Sequence, residues 1–128
     1  VDFAARVIAG TGRGRRLGFP TLNLDPRDVP EDLAHGIYAC LVNTESQKRE
    51  ARSLCKGALH YGPRPAFDDD AVSCEIYLLD TLLETTPPSL EVHIVARLRE
   101  IRGFPSLEAL KEQITQDVRE VRAILGAP

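Results

Sequence analysis

At 128 residues, with 43% apolar and 27% charged side chains, the chain has the size and composition of one soluble globular domain spanning residues 1–128, too short for two cores. No apolar run approaches the roughly 20 residues of a membrane span, and no charged-then-apolar targeting segment opens the chain. Net charge is −3, yet residues 1–18 hold four arginines against one aspartate, a local +3, so the other 110 residues carry −6. That asymmetry argues against a nucleic-acid binder, which spreads basic charge among stacking aromatics, and suits one small polyphosphate held at one place.

In chain order, residues 3–9 read as a short strand entering a glycine-rich loop, and Leu22–Leu24 as a brief extended piece. Asp25–His35, with two prolines and five charged residues, reads as a loop. Gly36–Val42 is apolar at nearly every position, which predicts a strand buried on both sides, with Asn43–Arg52 as its hairpin connection. Leu54–Tyr61 reads as the next strand, ended by Gly62-Pro63, and Asp68–Asp70 as a solvated hairpin tip. Val72–Leu79 alternates, with Val72, Cys74, Ile76 and Leu78 on one face and Glu75 and Tyr77 on the other. Leu90, Val92, Ile94, Ala96 and Leu98 alternate with Glu91, His93, Val95, Arg97 and Arg99, the pattern of a half-buried antiparallel strand.

The period then changes. After Ser106, an N-cap candidate, Leu107, Leu110, Ile114, Val118, Val121 and Leu125 form one helical stripe, closed by Gly126. Five or six short strands and one terminal helix predict a small, mainly β antiparallel barrel with the helix packed against it. Cys40, Cys55 and Cys74 are odd in number and widely spaced, which fits reduced thiols in the cytoplasm better than disulfides or a zinc site. There is no methionine, not even an initiator, so the chain is read as processed or cut from something longer.

The loop Gly10–Thr21 carries Gly10, Gly12, Gly14 and Gly18 with Arg13, Arg15 and Arg16, the composition of a backbone that approaches an anion. Guanidinium groups suit phosphate oxygens. A Walker A loop is excluded because no lysine precedes Lys48, and a dinucleotide fingerprint because the glycine spacing is wrong and Phe19-Pro20 follows instead of a helix. Taken alone, the loop also reads as a solvated turn.

The run Gly-Arg-Gly-Arg-Arg-Leu-Gly-Phe-Pro-Thr-Leu-Asn-Leu, residues 12–24, resembles the nucleotide-binding segment and Pro-Thr-Ala-Asn motif of the ATP-dependent riboflavin kinases. Gly36-Ile-Tyr38, Gly62-Pro-Arg-Pro65, Cys74–Asp80 and Arg97-Leu-Arg99 leading into Phe104 follow in the family's order. The chain departs from the pattern at Leu22, His60, Ala66 and the Pro87-Pro88 turn. The resemblance implies a six-stranded antiparallel Greek-key β-barrel with a C-terminal helix. It further implies transfer of the γ-phosphoryl of ATP to the 5′-hydroxyl of riboflavin, giving FMN and ADP, with Mg2+ (or Zn2+ or Mn2+) as the metal.

By the same resemblance Gly12, Arg13, Gly14, Arg15, Gly18, Pro20, Thr21 and Asn23 hold the nucleotide, and Thr21 and Asn23 the metal. Glu75 is the base and touches the flavin together with Arg99 and Phe104. Without the resemblance, Thr21 and Asn23 read as turn residues, Glu75 as the exposed face of a strand and Arg99 as a solvated arginine. His35, His60 and His93 lack metal-ligand spacing. Expected partners are ATP, ADP, riboflavin and FMN, with no nucleic acid and no membrane, and with an FAD synthetase domain possible in a longer protein. The alternative function is a flavin- or nucleotide-binding barrel without turnover, acting as sensor or interaction module.

Overall fold

Strands that alternate apolar and polar side chains make a sheet with one dry face, and here the sheet closes on that face. The computed structural model describes residues 2–9, 21–44, 54–64, 69–79 and 86–126. Among them, strands β1 Asp2–Ile8, β2 Leu22–Leu24, β3 Gly36–Asn43, β4 Leu54–Arg64, β5 Asp69–Leu78 and β6 Ser89–Arg99 form a closed barrel, followed by helix α1, Leu107–Leu125. Every pairing is antiparallel, in the order β1-β2-β5-β4-β3-β6. Strands β3, β4 and β5 run as a meander and β6 returns beside β3, which is the Greek-key arrangement. The expected fold is the observed one.

Leu24, Val42, Leu59, Ile76, Leu90 and Val92 fill the barrel, all essentially excluded from solvent. Full burial of each such side chain contributes roughly 1.5–3 kcal/mol. Strand β3 is buried on both faces as its sequence predicts: Tyr38, Cys40 and Val42 join the barrel core, while Ala39 lies under α1 with Leu79 and Val121. Cys40, Cys55 and Cys74 are free thiols. Burial raises the pKa of both Cys40 and Cys74, the latter to about 12, so both stay protonated and unreactive.

The outer face where α1 docks is a rung of small residues, with Ala39 opposite Ala58 and Ala96, and Ala58 opposite Tyr77. Small side chains let the helix lie close to the sheet. It begins as expected, with Ser106 Oγ accepting from the Ala109 amide at 3.1 Å, and ends at Gly126, whose φ of +86° favours glycine. Val118, Val121 and Leu125 pack with Ala39 and Leu79, and Leu110 near the start of α1 is buried as well. Leu107, expected in the stripe, is 52% exposed at the first helical position.

Three further expectations are corrected. Strand β4 does not stop at Gly62-Pro63 but continues to Arg64. Gly62, at φ +141°, and a register shift between Gly62 and Arg64 form an irregularity that accommodates a proline with no N–H to give. Asp69 and Asp70 are not a hairpin tip, since their backbone already belongs to β5, with Asp69 opposite Arg64. Strict alternation also fails on β6: two register shifts against β3 leave Ile94 opposite inward Cys40 but bring Ala96 opposite outward Ala39. The loop after β2 contains a 3-10 turn, Pro26–Asp28, pinned by a forked pair between Arg6 and Asp28 and another between Arg27 and Asp25. The hydrogen bonds from Arg27 hold the Asp25 carboxyl down at about 2.

Candidate functional site

Register brings residues far apart in sequence onto one rung that passes through all six strands. Ile8 stands opposite Asn23, Asn23 opposite Glu75, Glu75 opposite His60, His60 opposite Ile37, and Ile37 opposite Arg99. Leu22, Leu24, Cys74, Ile76 and Leu59 flank this rung and point into the core, so Asn23, Glu75 and His60 point outward together. On β6 the register shifts deliver Arg99 to the same side. The helix covers the neighbouring rung, two residues along each strand at Ala39, Ala58 and Tyr77, and leaves this one at its edge.

At one end of the rung Glu75 is held by two neighbours. Thr21 Oγ1 donates to its Oε1 at 3.4 Å, and Arg64 Nη1 lies 3.1 Å from its Oε2. The Arg64 and Glu75 side chains are only 11% and 12% exposed, so the carboxylate is largely out of water. His60 stands beside it, its Nε2 at 3.0 Å from the Gly62 carbonyl. A carbonyl only accepts, so Nε2 is the nitrogen that carries a proton in this bond. Burial lowers the His60 pKa, the bond to the Gly62 carbonyl and the Glu75 charge work against that shift, and Arg64 and Arg99 reinforce it.

At the other end Arg99 forks onto Asp117 of α1, with Nε to Oδ1 at 2.9 Å and Nη2 to Oδ2 at 2.8 Å. Gln113, one turn earlier on the helix, donates to the same Oδ1 at 3.0 Å. Arg102 in turn donates to Gln113 Oε1 at 2.5 Å. The guanidinium carbons of Arg99 and Arg102 sit 5.6 Å and 4.9 Å from the centroid of the Phe104 ring, both within cation–π range. Gly36 makes room nearby: a Cβ there would lie 2.7 Å from Arg97 Nε and 3.0 Å from the Arg99 carbonyl.

Of the residues singled out in the sequence, Thr21, Asn23 and Glu75 come together at one end of the rung, and Arg99 and Phe104 at the other. Gly12, Arg13, Gly14, Arg15, Gly18 and Pro20 lie outside the described residues. Arg99 is not a solvated arginine but is consumed by a forked ion pair. Sequence reasoning passed over Arg64, His60, Arg102, Gln113 and Asp117. Arg64 belongs to the quoted Gly62-Pro-Arg-Pro65 motif, but the strand was ended before it. Asp117 had a legible signal, an acidic residue at a helical step from Leu110, Ile114 and Val121.

The oxygen atoms of Thr21, Asn23 and Glu75 are hard donors of the kind magnesium takes. Among the described residues no group of three or more His, Cys, Asp or Glu could hold a metal by itself. That donor set fits a cation that keeps several waters and binds substrate phosphates, and does not fit a dedicated protein cage. Among the described residues no helix is long and apolar enough to cross a membrane.

Comparison with known proteins gives a match to the riboflavin kinase (flavokinase) family over residues 1–125. An RNA-binding riboflavin kinase, RibR, from Bacillus subtilis is 32% identical over 116 residues, covering 90% of this chain and 47% of that protein. A bifunctional riboflavin kinase/FMN adenylyltransferase from Pseudomonas fluorescens is 37% identical over 98% of this chain and 38% of its own length. A riboflavin kinase from Yarrowia lipolytica is 30% identical, covering 93% of this chain and 78% of that protein. The chain thus spans less than half of the Bacillus and Pseudomonas relatives. The crystal structure of riboflavin kinase from Trypanosoma brucei superposes with a TM-score of 0.61 at 22% identity, over 99% of this chain and 80% of that one, which bears on the fold alone.

Proposed function

The chain belongs to the riboflavin kinase family, and from that premise we propose that it transfers the γ-phosphoryl group of ATP to the 5′-hydroxyl of riboflavin, giving FMN and ADP. The observation that carries this reading is the Glu75 carboxylate, held between Thr21 and Arg64 on the outer face of the barrel with capacity left to accept a proton. Phosphoryl transfer asks little covalent chemistry of a protein: an acceptor for the hydroxyl proton, and fixed charge and geometry around the transferred group.

Each residue then has a task. Glu75 takes the proton of the ribityl hydroxyl, and Arg64 holds one of its oxygens so that the other faces the substrate. Thr21 and Asn23, on β2 beside it, would hold magnesium and the phosphates. When bound, the metal supplies positive charge that offsets the charge on the phosphate oxygens. Residues 12–18 lie between β1 and β2 in the chain, directly ahead of Thr21, and their glycine and arginine composition suits them to bind the phosphates through backbone N–H groups and through Arg13 and Arg15. Arg99 and Phe104 line the flavin end.

Residues 1–128 act, in this reading, as one kinase domain with ATP and riboflavin as partners, in a reducing compartment that suits its three free thiols. The bifunctional relatives favour an association with an FMN adenylyltransferase unit. RNA binding is named for the Bacillus relative, and the acidic balance here argues for small-molecule partners only. The test is direct: incubate the protein with riboflavin, ATP and magnesium and look for FMN by chromatography. Bound riboflavin without FMN or ADP would make it a flavin-binding barrel instead.

A further inference from the structure

We propose that Asp117, on the helix and outside the barrel, is the positioning residue of the flavin end, fixing Arg99 and through it the connector 100–106 that carries Phe104. The inference rests on the reading of Arg99 and Phe104 as flavin contacts.

The Asp117 carboxylate is buried and nearly fully partnered. The Asp117 side chain is 4% exposed and accepts three hydrogen bonds, two from Arg99 and one from Gln113. Arg99 spends Nε and Nη2 on this fork and Nη1 on the Glu100 carbonyl at 3.1 Å, so three of its five N–H groups are occupied. What remains for a ligand is two N–H groups, the flat face of the guanidinium and the Phe104 ring beside it. Arg99 is therefore an oriented platform, and Asp117 is what orients it.

A stability role alone accounts for this poorly. A buried ion pair gains little over apolar residues of the same volume, because desolvation offsets the attraction. Val118 and Val121, beside Asp117 on the helix, already pack in the core under α1. The pair also solves a local problem of charge. Arg99 and Arg102 both lie over one ring, two cations at close range, and Asp117 balances the first while Gln113 ties the second to the helix. Without the carboxylate the two guanidiniums repel, and the connector has no fixed seat.

The experiment measures riboflavin binding by quenching of flavin fluorescence and ATP binding by calorimetry, on wild type, Asp117→Asn and Gln113→Ala. Asp117→Asn should weaken riboflavin binding by about tenfold, the scale of a displaced positioning contact, while ATP affinity stays within twofold. Gln113→Ala should move riboflavin affinity the same way by about threefold, and it carries the test if the Asn variant fails to fold. Unchanged riboflavin affinity in the folded variants overturns the proposal, and so does an equal loss for both ligands, which would mean general loosening. Because binding is read without turnover, a wild type that binds riboflavin but forms no FMN removes the kinase reading and leaves this one standing. A wild type that binds no riboflavin removes both.

Discussion

Two arginine–carboxylate pairs sit at opposite ends of one rung, and they are built for different ends. Asp117 receives a two-pronged fork and a third hydrogen bond, leaving its oxygens nearly saturated. Glu75 receives one close contact on one oxygen and one long hydrogen bond on the other. A carboxylate offers about four acceptor sites, so Glu75 keeps capacity that Asp117 has spent. Burial is similar in the two pairs, and what separates them is how many partners the fold supplies. A carboxylate left under-coordinated in a largely dry place is available for proton transfer, while a saturated one can only hold its neighbours.

The largest expected effect breaks this comparison at the Glu75 end. Glu75→Gln keeps size and one acceptor but loses the charge that takes a proton, so FMN formation should fall by about 10²- to 10⁴-fold, ~3 to 5 kcal/mol in barrier, with riboflavin affinity nearly unchanged. Wild-type turnover in the folded variant would exclude Glu75 as the base. In stability the order should reverse. Asp117→Asn leaves the Arg99 charge without its fork and should cost about 3 kcal/mol in urea denaturation, whereas Glu75→Gln, from the less saturated pair, should cost less than about 1 kcal/mol. Equal losses would mean that the two pairs are structural alike.

A smaller effect isolates the helix that carries Asp117. Ser106→Ala removes the N-cap bond to Ala109 and should cost about 1 kcal/mol of stability. Because Val118, Val121 and Leu125 still hold α1 against the barrel, turnover measured well below the melting temperature should be unaltered. A turnover loss in that variant would place the first helical turn in the site.

The smallest effect is one of pH. His60, between the two pairs, has a folded pKa lowered below its ordinary 6.5 by burial, so the unfolded chain takes up a proton first as pH falls. Its neutral form is therefore favoured by folding, with stability fully present above pH 6.5 and lost as pH drops below it towards the folded pKa. His60→Asn should flatten that part of the stability profile, measured by urea denaturation at stepped pH. An unchanged slope below pH 6.5 would mean that the ring is not held neutral.

Much of this was legible without coordinates. Strict alternation in Val72–Leu79 fixed which side of β5 Glu75 would take, because the side-chain period of a strand is two and Cys74 and Ile76 had to face the core. Ser106 and Gly126 marked the helix ends because caps are local chemistry. The Gly62-Pro63 stop misled for a physical reason. Proline and glycine usually end strands, but at an irregularity they are tolerated, and the three residues beyond Tyr61 carry Arg64 to Glu75.

By itself, then, the sequence determined what depends on neighbours in the chain: strand faces, helix ends, the apolar stripe and the family motifs. Which residues meet across the barrel was decided only by the tertiary structure. The rung from Asn23 through Glu75 and His60 to Arg99 depends on strand register and on the shifts in β4 and β6, set by packing among strands far apart in sequence. Asp117 shows the same division. Its place on the helix face follows from a period of 3.6, but its partner, 18 residues earlier, is fixed by where the helix docks.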